Sequence, residues 1–177
     1  MSRAWAAMGS ALFFVVAPGV VAGFVPWLLT RWEVRDVPLV YLPLQVVGGT
    51  LILAAAAALV HSFARFVLEG SGTPAPVAPT ARLVVGGLYR YCRNPMYVAV
   101  LAIIGGQALL LAQPVLVLYG ALIWAAVAAF VRGYEEPVLR GRYGDQYEAY
   151  RRAVPGWRPR LQPWTADGPQ SGDPATH

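Results

Sequence analysis

The stretch that decides the fold is MYVAVLAIIGGQALLLAQPVLVLYGALIWAAVAAFV, residues 96–131. Two arms of 17 residues, Met96–Ala112 and Val115–Val131, carry no charge and meet at Gln113-Pro114. As helix, each arm spans about 25 Å, short for a hydrocarbon core of roughly 30 Å but workable where the bilayer thins or the hairpin sits shallow. Proline disfavours helix in the residue before it, so Gln113-Pro114 reads as the turn of a membrane hairpin. The alternative, one long helix kinked at Pro114, would put the two ends of the stretch on opposite membrane faces.

Each end carries a polar cluster. LYRYCRNPMY occupies residues 88–97, and EEPVLRGRYGDQYEAYRRAVP runs from Glu135 to Pro155. Arg, Asn, Glu and Tyr gathered at the ends of apolar spans are costly unless they face one another or a site. A hairpin brings the clusters together at one face, about 40 residues apart in sequence. Adjacent Glu135 and Glu136 need a cationic partner or water, and Arg90, Arg93, Arg132 or a bound ammonium group could serve. Pro95 lacks an amide donor and holds Arg93 and Asn94 extended, so their amides are candidates to face a ligand. The alternative for the first cluster is an interfacial belt of tyrosines with snorkelling arginines.

Working outward, Ala4–Leu29 and Val37–Val60 are uncharged over 26 and 24 residues, each long enough to span. The first reads as a retained span rather than a cleaved leader, because it is long and lacks a clear small-residue cleavage site. With 57% hydrophobic and 13% charged residues the chain is too apolar for a soluble domain, where charged residues make up about 25%. The expected fold is all-α: a polytopic integral membrane protein of about four membrane helices, two spans plus a hairpin, with a cytosolic C-terminal amphipathic helix. Residues 1–161 form a single domain with its cofactor-binding region at about 86–159, and 162–177 read as a disordered tail. The segment 70–79 is a Gly- and Pro-rich connecting loop.

All fourteen basic side chains are arginine. Arg31 and Arg35 lie between the first two spans, whereas Arg65, Arg82, Arg90, Arg93 and the seven from Arg132 to Arg160 flank the polar clusters. By the positive-inside rule both termini and both clusters are cytoplasmic. The net charge of +5 reads as topology and attraction to anionic headgroups, not nucleic-acid binding. Cys92 is the single cysteine, which excludes an intrachain disulfide and a cysteine metal cluster, and His61 reads as interfacial. Gly48-Gly49 and Gly105-Gly106 suit close helix packing within the chain or between copies, so the oligomeric state stays open.

Pro137 after two acidic residues suits the start of a new helix, which Pro155 ends. On it Glu136, Leu139, Tyr143, Tyr147, Tyr150 and Val154 share one face by their spacing of three and four. The tyrosine stripe reads as packing more than as ligand contact.

Gly87-Leu-Tyr89-Arg-Tyr-Cys-Arg93-Asn94-Pro95-Met-Tyr97, followed by Glu135-Glu136, Leu139, Tyr143-Gly144, Tyr147, Tyr150 and Val154-Pro155, resembles the isoprenylcysteine carboxyl methyltransferase and phospholipid methyltransferase superfamily. The resemblance covers residues 86–159 and implies an integral membrane methyltransferase using S-adenosylmethionine on a lipid-like or amphiphilic acceptor, a carboxylate or an amine. It implies cofactor contacts from Tyr89, Arg93, Asn94, Pro95, Tyr97, Glu135, Glu136, Tyr147 and Tyr150, and no metal. Glu135 and Glu136 are the candidates for catalysis, with Arg151 or Arg152 orienting an anionic acceptor. Arg93, Asn94, Pro95 and Tyr97 correspond to an Arg-His-Pro-x-Tyr element. Asn94 replaces its histidine, so that position hydrogen-bonds but does not titrate near neutrality. Tyr143 replaces a phenylalanine. Membrane sterol and steroid reductases, which use a reduced nicotinamide cofactor, share part of the C-terminal pattern. Their proline element often continues Asn-Tyr-Phe-Gly-Glu where this chain has Met96-Tyr97-Val98-Ala99. A noncatalytic membrane scaffold is the third reading.

Overall fold

The computed structural model describes residues 16–70 and 83–165, and within them every regular element is helical. Four apolar helices come first: α1 (Val16–Thr30), α2 (Leu42–Gly70), α3 (Pro95–Leu110) and α4 (Pro114–Phe130). The polar α5 (Glu136–Ala153) follows. Residues 1–15, which hold much of the expected first span, residues 71–82, which hold the expected 70–79 loop apart from Gly70, and residues 166–177, which hold most of the expected 162–177 tail, lie outside the described residues.

Two helical runs, Leu39–Arg65 and Pro114–Ala153, are long and apolar enough to cross a membrane. Only 22% and 17% of their most apolar windows are buried, whereas a soluble protein's core helix would be mostly covered. Val46, Leu53 and Val60 on α2, and Val117, Leu118 and Leu122 on α4, all point outward. Lipid is the solvent that suits such faces. The 29 residues of α2 measure about 43 Å, so the helix outlasts the expected Val37–Val60 span.

α2 and α3 pack antiparallel, and glycines let their backbones meet. A Cβ on Gly48 would fall 2.6 Å from Gly106 O and Leu110 N, and one on Gly106 would fall 2.7 Å from Ile52. Gly49 and Gly105 meet nothing within 4 Å, so one glycine of each expected pair serves this intramolecular contact. α3 and α4 form the hairpin, which excludes a single helix kinked at Pro114. Ala112 adopts φ +52° in the turn, and Gln113 N–H donates to Ala108 O. Ile104, Ala108, Leu111 and Leu116 pack with Ala22 of α1 as the core of this half.

α1 contains a π turn, Val20–Phe24. Its carbonyls accept side-chain donors from the hairpin: Tyr119 Oη reaches Val21 O at 2.8 Å and Gln107 Nε2 reaches Ala22 O at 2.6 Å. A second π turn, Val131–Glu135, joins α4 to α5, with Glu136 N–H donating to Val131 O. The expected fresh helix start at Pro137 is therefore corrected. The chain stays helical from α4 into α5, because bonding five residues back carries the turn past a proline that has no amide donor.

Candidate functional site

Two segments far apart in sequence make the site, and the turn before α3 is the first. Gly87, at φ +56°, lies so close to α2 that a Cβ would fall 2.8 Å from His61 Nε2 and 2.9 Å from the Arg65 side chain. Both the backbone angle and the space call for glycine. The short 3₁₀ turn Gly87–Arg90 follows, and the chain then runs through Tyr91–Asn94 to Pro95, the first residue of α3.

The second segment is the strap after α5. At Val154 the backbone becomes extended, and the chain folds back along residues 90–94. Arg93 N–H donates to Pro155 O, Asn94 N–H to Gly156 O, Arg160 N–H to Tyr91 O and Trp164 N–H to Arg90 O. The expectation that the Arg93 and Asn94 amides face a ligand is corrected: the strap uses both. Trp164 packs on Tyr150 with ring centroids 5.3 Å apart, so residues of the expected tail just beyond Leu161 take part in the strap.

Arg93 is the hub. Its Nη1 donates to Glu136 Oε1 at 2.8 Å and to Tyr147 Oη at 3.1 Å, and its Nε donates to Val154 O at 2.9 Å. Burial opposes the charge, but the Glu136 hydrogen bond and the nearby Tyr147 and Glu136 groups outweigh it and hold the guanidinium above its usual value. Of the expected partners, Arg90 instead donates from Nε to Trp164 O, and Arg132 is exposed. Glu135 is half-buried and accepts from Tyr97 Oη at 3.3 Å. Among the described residues, no arginine pairs with it. The adjacent glutamates therefore differ: Glu136 is neutralised and Glu135 is not.

Asn94 is 8% exposed, and its Nδ2 has no hydrogen-bond partner. Cys92 is buried and donates from Sγ to Gly156 O at 3.1 Å. Burial pushes its thiol up, and the Asn94 backbone and the Arg93 charge offset this only in part.

The tyrosine stripe packs as its spacing predicts. Tyr147, Tyr150 and Val154 are buried with Leu139, Tyr143 and Trp164 around them, even though Gly144, at φ +50°, breaks the helix within α5. Tyr150 Oη donates to Tyr89 O at 2.6 Å. The structure thus brings Arg93, Asn94, Pro95, Tyr97, Glu135, Glu136 and Tyr147 into one cluster, with Tyr89 and Tyr150 tied together behind it. Arg152 stands apart: it is exposed on α5 and forms no hydrogen bond or ion pair with the cluster. The strap carbonyls of Val154, Pro155 and Gly156 are what side-chain reasoning missed. A tryptophan in an otherwise polar tail was the one available signal. Among the described residues no group of His, Cys, Asp or Glu could hold a metal ion.

Long lipid-exposed helices with a polar cluster at one end define an integral membrane protein. Residues 44–146, more than half of the chain, match the family model for phospholipid methyltransferases, and the protein belongs to that family. It is an S-adenosylmethionine-dependent membrane methyltransferase, which sets aside the reductase and scaffold readings. No curated protein and no solved structure matches the chain.

Proposed function

We propose that the protein methylates the amino headgroup of a phospholipid, at the cytosolic membrane face, with Glu135 as the group that recruits positive charge. The observation that supports this is the inequality of the two carboxylates. Glu136 is committed to Arg93, while Glu135 sits beside it with only the Tyr97 hydroxyl. A half-buried carboxylate with no ion pair of its own, which feels the Arg93 charge without contact, favours a cation beside it.

The residues present fit S-adenosylmethionine, which has a sulfonium, an ammonium, a carboxylate and an adenine. Glu135 suits the positive groups. The unpartnered Asn94 Nδ2 suits an acceptor atom, and α3 begins at the cluster with no side-chain cap on its N-terminus, so its positive end suits a carboxylate. When bound, the cofactor supplies an electrophilic methyl group for in-line displacement. The protein's task is then to position groups and exclude water.

Arg93 holds Glu136, Tyr147 and the Val154 carbonyl in one arrangement, which fixes the walls of the cluster. Tyr97 orients Glu135. An acceptor amine is protonated near neutrality and must release its N–H proton to the cytosolic solvent before its lone pair attacks the methyl group, since Glu135 is engaged with the cofactor's positive charge.

The test places the full chain in nanodiscs containing phosphatidylethanolamine, with methyl-labelled S-adenosylmethionine and mass analysis of the lipids. Methylated phosphatidylethanolamine is the expected product. Label found only on an added carboxylated prenyl amphiphile would transfer the protein to the carboxylate-methylating class.

A further inference from the structure

The opposite end of α3 carries a second feature, which the methyl-transfer site does not use. A groove of about 430 Å³ lies between α1, α2 and α3. Ala22, Ile52, Ile103 and Gln107 line it from the helices, with Trp32 and Leu111 from the adjoining loops. Twelve residues of helix separate Gln107 from Pro95, about 18 Å along the axis, so this groove and the Arg93 cluster are distinct places.

Gln107 is the polar member of this wall. It is 8% exposed, its Nε2 donates to Ala22 O at 2.6 Å, and its Oε1 is buried without any donor. The amide is held in this sense by the π turn of α1, whose Ala22 carbonyl can only accept. A buried, unpaired carbonyl in an apolar bundle is costly, because neither lipid chains nor the helix backbone can supply a donor. π turns inside helices also concentrate at functional sites.

Depth selects the missing partner. Gln107 lies four residues before Leu111, about 6 Å below the hairpin turn. At that turn Gln113 Nε2 donates to Glu33 O, and Arg31 stands 4.6 Å over the Trp27 ring, so polar and aromatic groups mark the membrane boundary. Diacyl phospholipids present ester carbonyls near this level, and these only accept. Gln107 Oε1 requires a donor.

We infer that this groove is a binding site for a membrane alcohol, an apolar chain or ring system whose hydroxyl donates to Gln107 Oε1 while its body lies against Ile52, Ile103 and Ala22. The alcohol is a ligand distinct from the methyl acceptor, and the inference does not rest on which acceptor the enzyme uses.

The experiment uses the full chain in phosphatidylcholine nanodiscs. A photoreactive long-chain alcohol and its methyl ether, which has the same body but no donor, are crosslinked in parallel and mapped by peptide mass analysis. The alcohol is expected to label the α1 and α3 peptides saturably and about tenfold more than the ether, the discrimination of one hydrogen bond. Ile103→Trp, which fills the groove and leaves the Gln107 bonds in place, is expected to abolish that labelling while S-adenosylmethionine still binds. Gln107→Leu should reduce the alcohol to the level of the ether. If that variant does not fold, having lost the tie to Ala22, the alcohol-to-ether ratio in the native protein decides. Equal labelling by alcohol and ether, or labelling that survives Ile103→Trp, would overturn the inference and leave an unselective lipid-facing surface.

Discussion

Arg93 and Glu136 lie 43 residues apart in sequence and 2.8 Å apart in space, with side chains 14% and 15% exposed. That ion pair joins the start of α3 to the start of α5, and so closes the hairpin at its polar end. Removing Glu136 would leave the Arg93 charge buried without its ion pair, which typically costs about 3–5 kcal/mol, whereas Glu136 has a second, longer contact to Arg140 at 3.9 Å. Glu136→Gln should therefore lower the thermal unfolding midpoint markedly. The double variant Arg93→Met with Glu136→Leu should recover much of the loss. A single variant as stable as the native protein would show that the pair does not hold the site together.

Asn94 should affect stability and binding in opposite directions. Its Nδ2 is buried and unpartnered, so Asn94→Leu removes an unsatisfied donor while the backbone bond to Gly156 remains. Stability without ligand should stay level or rise by about 1 kcal/mol. Affinity for S-adenosylmethionine should fall. Thermal unfolding with and without the cofactor separates the two effects, and a variant that loses stability but keeps affinity would make Asn94 a packing residue.

Helix contact through Gly48 should be intolerant of even one methyl group. Gly48→Ala places a carbon 2.6 Å from two backbone atoms of α3, and overpacking of this kind costs about 1–3 kcal/mol. Gly49→Ala, with nothing within 4 Å, serves as the control and should be neutral or slightly stabilising. Equal effects at the two positions, read by thermal unfolding in the same detergent, would contradict the packing described.

Cys92 reports on the strap. Burial holds its thiol above the usual value, so near neutrality a smaller thiolate fraction is present than on a free cysteine, and alkylation should be slow. The rate should rise as pH increases, because only the thiolate reacts. Trp164→Ala removes a ring that packs on Tyr150 and should loosen the strap and speed labelling. Fast labelling of the native protein at neutral pH would mean that the strap does not cover Cys92.

Much of this arrangement is legible in the sequence. Uncharged arms of 17 residues around Gln113-Pro114 specify the hairpin, and the hairpin alone brings Arg93 and Tyr97 to Glu135 and Glu136. The tyrosine face of α5 also follows from its spacing. Which glutamate Arg93 takes is not legible, because neighbours on a helix point about 100° apart and the π turn at Val131–Glu135 shifts their phase. The strap is hidden for a different reason. Its bonds run from backbone to backbone, and the carbonyls of Pro155 and Gly156 leave no mark in side-chain pattern. Arg152 falls outside the cluster because a helical face near a site need not point into it.

The most direct test of the account is calorimetric titration of S-adenosylmethionine into the native protein and Glu135→Gln, both in the same detergent and both shown to be folded. Saturable binding to the native protein is expected, weakened by about tenfold or more in the variant through loss of a charge facing a cation. Equal affinity in the two proteins would contradict the assignment of Glu135 as the charge-recruiting carboxylate.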